Sequence, residues 1–181
     1  METKTLSLIL PVNLSAAVSV SAFAGISALS FILPFLLGYP QWLVGTIVNA
    51  GLFLSAIFLP EKYFPAIAIF PSLGILARGA IFGPFTFSLV YFLPFIWIAN
   101  LALVLIFKKL FVYIKYIPAV FFSAVIKFLF LYVVANIYFG LHIVPKLFLQ
   151  TMGIAQFLTA LVGGIISFII FKSYGKYNTG N

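Results

Sequence analysis

Long apolar stretches, interrupted at near-regular intervals by proline, glycine and clustered lysine, dominate the chain. A helix that crosses a bilayer needs about 20 consecutive, mostly apolar residues. Splitting the chain at its interruptions predicts six such helices, over residues 14–37, 42–59, 64–82, 85–107, 117–139 and 147–171. Pro40, Pro60, Pro84, Pro118 and Pro145 fall at or beside the breaks, where a residue without an N–H starts or ends a helix. Pro34, Pro71 and Pro94 fall inside predicted spans, so kinks or early unwinding are expected there. Lys4 followed by apolar sequence has the flavour of a signal peptide, but the run is too long, and an uncleaved first span is expected.

The polar positions between these runs set an orientation. With six spans both termini share one side, which then carries Lys4, Lys62, Lys108, Lys109, Lys115, Lys172 and Lys176, against Lys146 alone on the other. Basic residues collect in cytoplasmic loops, so both termini are expected in the cytoplasm. The outer connections are short, about Gly38–Gln41, Gly83–Pro84 and Gly140–Lys146, and leave no room for a soluble domain. The expected architecture is a single all-α domain over residues 1–181, a polytopic membrane bundle of six transmembrane helices.

Composition narrows the chemistry. Hydrophobic residues make up 65% of the chain and charged residues 7%, more apolar surface than a soluble domain of 181 residues could bury. Without cysteine there is no disulfide, thiolate metal site or thiol nucleophile. One histidine and two acids, Glu2 and Glu61, leave little for acid–base catalysis or for a divalent metal, so no catalytic residue, metal or cofactor is expected. Ten basic residues against two acids reflect topology and attraction to membrane lipid, not binding of nucleic acid.

Two cations then stand out. Arg78 lies in the outer half of the third span, one turn after Gly74, and Lys127 lies near the centre of the fifth, one turn after Ser123. A charge at membrane depth is costly and normally faces protein, water or a ligand. No acid lies within the membrane to pair with either. The possible partners are water, backbone carbonyls, a lipid phosphate, another subunit or an anionic ligand, and the ligand is the favoured one. Asn49 in the second span, Trp97 and Asn100 on one face of the fourth, and Gln150 and Gln156 in the sixth complete the expected substrate-binding set with Arg78 and Lys127. Asn136, nine residues from Lys127, points to the opposite side of a regular helix.

Small residues let membrane helices approach closely. In the first span Ala17, Ser21, Ala24 and Ala28 fall within about 60° of one another at helical spacing. Six spans in about 180 residues, cytoplasmic termini, short outer loops and this small-residue first helix together resemble the S components of energy-coupling factor transporters, membrane subunits that capture vitamins and related micronutrients. The motif that carries the resemblance is A-x-x-x-A at Ala24–Ala28, continued by Ala17 and Ser21. The loop after the first span is shorter than the lid often found there in that family.

The resemblance implies a prokaryotic inner-membrane protein. Its first helix would dock on a transmembrane coupling subunit, and its solute would bind near the outer face. Energy would come from partner ATPase subunits, since the chain carries no G-x-x-x-x-G-K-[ST] loop. The solute expected from the two cations is small and anionic. The rival expectation is a membrane scaffold or lipid-interacting subunit that transports nothing. A proton-coupled carrier would need an intramembrane carboxylate, and a membrane enzyme an Asp/His or Glu/His constellation; no span has either.

Overall fold

In lipid every backbone polar group has to be satisfied within the protein, so an apolar run of this length folds as a helix. The computed structural model describes residues 16–37, 40–82 and 89–179, and its regular elements there are all helical. They are α1 (Ala16–Leu37), α2 (Gln41–Phe58), a 3₁₀ turn (Glu61–Tyr63), α3 (Phe64–Phe82), α4 (Leu93–Tyr113), α5 (Tyr116–Gly140), the short α6 (Leu147–Thr151) and α7 (Ile154–Thr179). Among the described residues five helical stretches are long and apolar enough to cross a membrane: Val18–Leu37, Gln41–Phe58, Leu93–Tyr113, Tyr116–Gly140 and Leu147–Tyr174. The remaining long helix, α3, has 19 residues and carries Pro71 within it. The expected turn at Gly83–Pro84 and the expected first residues of the fourth span, 85–88, lie outside the described residues, as do Lys4 and the side chain of Ala17.

Two expectations about breaks are corrected. Pro94 does not kink a span: α4 begins at Leu93, so the proline sits in the first turn, where its missing N–H takes no bond from the helix. The fourth helix is accordingly displaced, running past Phe107 and both Lys108 and Lys109 to Tyr113. The sixth run, expected unbroken over 147–171, is interrupted at Met152–Gly153 between α6 and α7. A Cβ on Gly153 would stand 2.4 Å from the carbonyl oxygen of Leu149, so the chain turns there only because that atom is missing.

Packing pairs α2 with α7, α1 with α3, and α4 with α5, while α7 also lies against α5. One core cluster, built on Leu52, Phe53, Phe64, Ile67, Leu103, Phe107 and Val120, fills the bundle at the end that holds the Glu61–Lys108 ion pair (3.3 Å). Its aromatic centre is Phe53 set edge-on to Phe107, ring centroids 4.9 Å apart. There too, the buried Tyr116 hydroxyl contacts Ser167 Oγ at 2.5 Å and donates to the carbonyl of Gly164 at 3.1 Å, tying α5 to α7. A second cluster (Phe92, Leu131, Ala135, Val144 and Met152) joins α4, α5 and α6 at the opposite end, with Phe92 stacked on Phe148. Between these clusters the helices do not close.

At that opposite end α5 stops in a Schellman turn. The N–H of His142 bonds to Phe139 O (3.0 Å) and that of Ile143 to Tyr138 O (2.9 Å). His142 therefore holds φ 58°, a conformation that glycine adopts without steric cost. His142→Gly is expected to raise stability by about 0.5–1 kcal/mol in equilibrium unfolding of the detergent-solubilised protein. A loss of stability would mean that the imidazole makes a compensating contact.

Candidate functional site

The site starts at Pro71. Proline contributes no N–H to the ladder of α3 and crowds the turn before it. One residue along from the carbonyl that Pro71 leaves without its helical donor, the carbonyl of Ala68 accepts the Nδ2 of Asn100 from α4 at 3.0 Å. With its amide nitrogen committed there, Asn100 turns its Oδ1 toward α5 and accepts from Lys127 Nζ at 2.8 Å. Asn49 of α2 is fixed in the same sense. Its Nδ2 donates to Gly45 O (2.9 Å) and to Thr159 Oγ1 of α7 (3.1 Å), and its Oδ1 accepts from Lys127 Nζ at 2.7 Å. Thr159 in turn donates to Ala155 O at 2.8 Å. Four helices thus converge on one amine, and each amide is locked with its oxygen toward it.

Lys127, Asn49 and Asn100 are all buried, at 2%, 1% and 2% exposure. An ammonium has three N–H donors, and two acceptors meet it among the described residues. Both are neutral amides, and no carboxylate stands beside the amine among the described residues.

Above this cluster lies a cavity of about 530 Å³, within the range of small-molecule sites. Lys127, Asn49, Asn100 and Gln156 line it, together with Ser72 beside Pro71. Its walls are mainly apolar, from Val44, Val48, Ile75, Ile96, Phe148 and Met152. Residues next to the lining set on the Lys108 side (Leu52, Phe53, Ala68, Leu103 and Ala124) are buried core, so the cavity has a floor at that end. Toward the other end it reaches Gln41, Arg78, Gly79 and Thr151. There a long hydrogen bond, Gln41 Nε2 to Thr151 O at 3.4 Å, links the start of α2 to α6. From Gln41 to Asn49 is eight residues along α2, a depth of about 12 Å at the helical rise. Among the described residues no aspartate or glutamate lines the cavity.

Arg78 is half-buried at this rim, and its Nη1 donates to Phe35 O (3.0 Å) and Leu36 O (2.7 Å). These carbonyls belong to the last turn of α1, where unpaired carbonyls and the helix dipole favour a cation. The guanidinium therefore closes a helix end while forming part of the cavity wall. Of the alternatives weighed for Arg78, backbone carbonyls are present. One turn before Arg78, α3 packs closely on α1: a Cβ on Gly74 would clash with the backbone carbonyl of Phe31.

Five of the seven expected substrate residues, Arg78, Lys127, Asn49, Asn100 and Gln156, thus line one cavity, and two lie elsewhere. Trp97 is not on the wall, because its Nε1 is engaged with Ser72 Oγ at 2.7 Å and the indole sits behind that serine. Gln150 is exposed. In the five-residue α6 the residues at helical spacing that face inward are Leu147, Phe148 and Thr151, which turns Gln150 away. Thr159, Ser72 and Thr151 were not singled out by the sequence. Thr159 does fall in phase with Gln156 and Gly163 on α7, which is the signal that could have found it. Asn136 is exposed and bonds back to Tyr132 O at 2.7 Å, away from the cavity.

Among the described residues the first-helix ridge is solvent- or lipid-facing. Ser21, Ala24 and Ala28 are exposed, and Gly25 beside them has nothing within 4 Å of a built Cβ. The opposite side of α1, including Ser19, Ser30 and Pro34, is buried. Among the described residues no group of three or more His, Cys, Asp or Glu could hold a metal. Comparison with protein-family models, curated proteins and solved structures yields no match.

Proposed function

We propose that this chain is the solute-capturing subunit of an importer of the energy-coupling factor type, binding a small anionic micronutrient from the outer face of a prokaryotic inner membrane. The observation that carries the reading is the floored cavity whose lining, among the described residues, includes Arg78 and Lys127 and no acid. A buried amine met by two amide oxygens and by no carboxylate among the described residues supports an anion as its partner. In this reading α3 crosses the membrane with the other five stretches, both termini are cytoplasmic, and the Gln41–Arg78–Thr151 rim faces outward. The lysine excess on the opposite side supports that orientation.

The uncovered small face at Ser21, Ala24 and Ala28 supports docking of α1 on a transmembrane coupling subunit, with ATPase subunits supplying the energy. The second reading is a scaffold or lipid-interacting subunit without a solute. What favours it is that Arg78 is already engaged by the carbonyls of α1. The test is purification from the native membrane with mass spectrometry of retained small molecules and of co-purifying chains. A retained anion whose affinity falls about tenfold or more in Arg78→Ala/Lys127→Ala, together with an ATPase partner, is the expected result. A stable complex that contains no ATPase and binds no solute would favour the scaffold.

A further inference from the structure

Resting on the solute-binding reading, we infer that the cavity takes an elongated organic monoanion, a single carboxylate on an apolar body, with the carboxylate inward against Lys127. Three observations carry this. First, the two cations are not equivalent. Arg78 sits at the rim and is met by the carboxyl end of α1 through Phe35 and Leu36. Lys127 sits about 12 Å deeper, judged from the span between Gln41 and Asn49, and among the described residues is met by two neutral oxygens. The amine that lacks both a carboxylate and a helix end among the described residues is therefore at the bottom.

Second, the polar groups around that charge leave little donor capacity for a large polyanion. Both N–H groups of Asn49 Nδ2 are spent, on Gly45 and Thr159, and one of the two on Asn100 Nδ2 is spent on Ala68. Their oxygens position Lys127, and Asn49 has no N–H left for a ligand. What remains at the bottom is the N–H of Lys127 in excess of its two acceptors and the second N–H of Asn100, with the Gln156 amide on the wall. One carboxylate satisfies that set. A compact, multiply charged anion such as phosphate or citrate requires several donors around one point, and the cavity does not offer them.

Third, the length between floor and rim is walled by Val44, Val48, Ile75, Ile96 and Met152. That lining gains from an apolar body and strips water from a hydrophilic one. At the outer end Gln41 and Thr151 suit a small polar group or water.

The experiment uses the full chain in lipid nanodiscs with 2-naphthoate, 2-naphthylmethylammonium, inorganic phosphate and citrate as probes in calorimetric titration. Naphthoate is expected to bind at least about tenfold more tightly than each of the other three. Lys127→Met is expected to cost it about tenfold or more, and Arg78→Gln less than that. Because Lys127→Met leaves two amide oxygens without their donor, the triple variant Asn49→Leu/Asn100→Leu/Lys127→Met is titrated beside it. It removes the amine together with both of its acceptors and is expected to lose naphthoate equally. Retained naphthoate affinity in the folded triple variant would overturn the inference, as would a larger loss from Arg78→Gln than from Lys127→Met. Preference for phosphate or citrate would overturn it while leaving anion capture standing. Binding of none of the four would overturn both.

Discussion

Replacing Asn49 and Asn100 together by leucine is expected to lower stability by about 3–5 kcal/mol, and adding Lys127→Met to that variant is expected to recover most of the loss. The asymmetry follows from what each substitution leaves behind. The two amides are 1% and 2% exposed and supply both acceptors found for Lys127 among the described residues. Leucine matches asparagine in shape but accepts nothing, so the double variant strands a buried cation, which is the expensive way to break such a cluster. Removing the amine as well leaves apolar atoms on apolar atoms, and wholesale apolar replacement of a buried polar cluster is often nearly neutral.

Lys127→Met alone falls between. It orphans two amide oxygens, at about 1–3 kcal/mol each, and relieves the buried charge in exchange. Equilibrium unfolding in mixed micelles reads all three variants. The coupling between Lys127 and the asparagine pair is the quantity of interest, because residues in one network are not additive. If the triple variant is as unstable as the double, the amides stabilise the fold by their bonds to Gly45, Thr159 and Ala68, and not through Lys127.

Much of this arrangement was legible before the structure, for a reason specific to membranes. Hydropathy locates helices well because a span must be apolar over a fixed length, and 64–82 and 117–139 recur almost unchanged as Phe64–Phe82 and Tyr116–Gly140. Arg78 and Lys127 were legible because a charge in such a run has to have a use. Breaks were less legible. Pro94 has one sequence signature whether it kinks a helix or begins one, and only its position in the first turn of α4 decides. The interruption at Gly153 shifts the phase of α6, which is why Thr151 and not Gln150 reaches the cavity.

The partners were least legible. Arg78 binds the carbonyls of Phe35 and Leu36, and a backbone acceptor leaves no trace in residue identity. Thr159 meets Asn49 across 110 residues of sequence, so its role depends on which helix lies opposite. Trp97 shares a face with Asn100, as its spacing implies, but Ser72 intercepts it. Helical phase selects a face of one helix and cannot supply what stands across from it.

What stands across from α7 is α2, and the second large effect is expected there: Gly163→Ala should destabilise the protein by about 2–4 kcal/mol. A Cβ at Gly163 would lie 2.7 Å from Ala50 N and 2.7 Å from Thr46 O, and 2.9 Å from Asn49 Cβ. The first two are backbone atoms of α2, so no rotamer change relieves the clash and the helices must move apart. Asn49 sits at this crossing, with its Nδ2 on Thr159 of α7 and its Oδ1 on Lys127 of α5. Spreading the crossing therefore pulls on the cluster beneath the cavity as well as on the packing. The adjacent Gly164 provides the contrast. Its Cβ would stand 2.3 Å from Val120 Cγ1, a side-chain atom of α5, so Gly164→Ala is expected to be rescued by Val120→Ala. No single second-site truncation should rescue Gly163→Ala. Gly25, with nothing within 4 Å, calibrates the intrinsic gain of alanine over glycine in a helix, about 1 kcal/mol, against which both losses are read. A Gly163→Ala protein that unfolds within about 0.5 kcal/mol of the parent would show that α2 and α7 have slack at their crossing, and the rigidity ascribed to Asn49 would go with it.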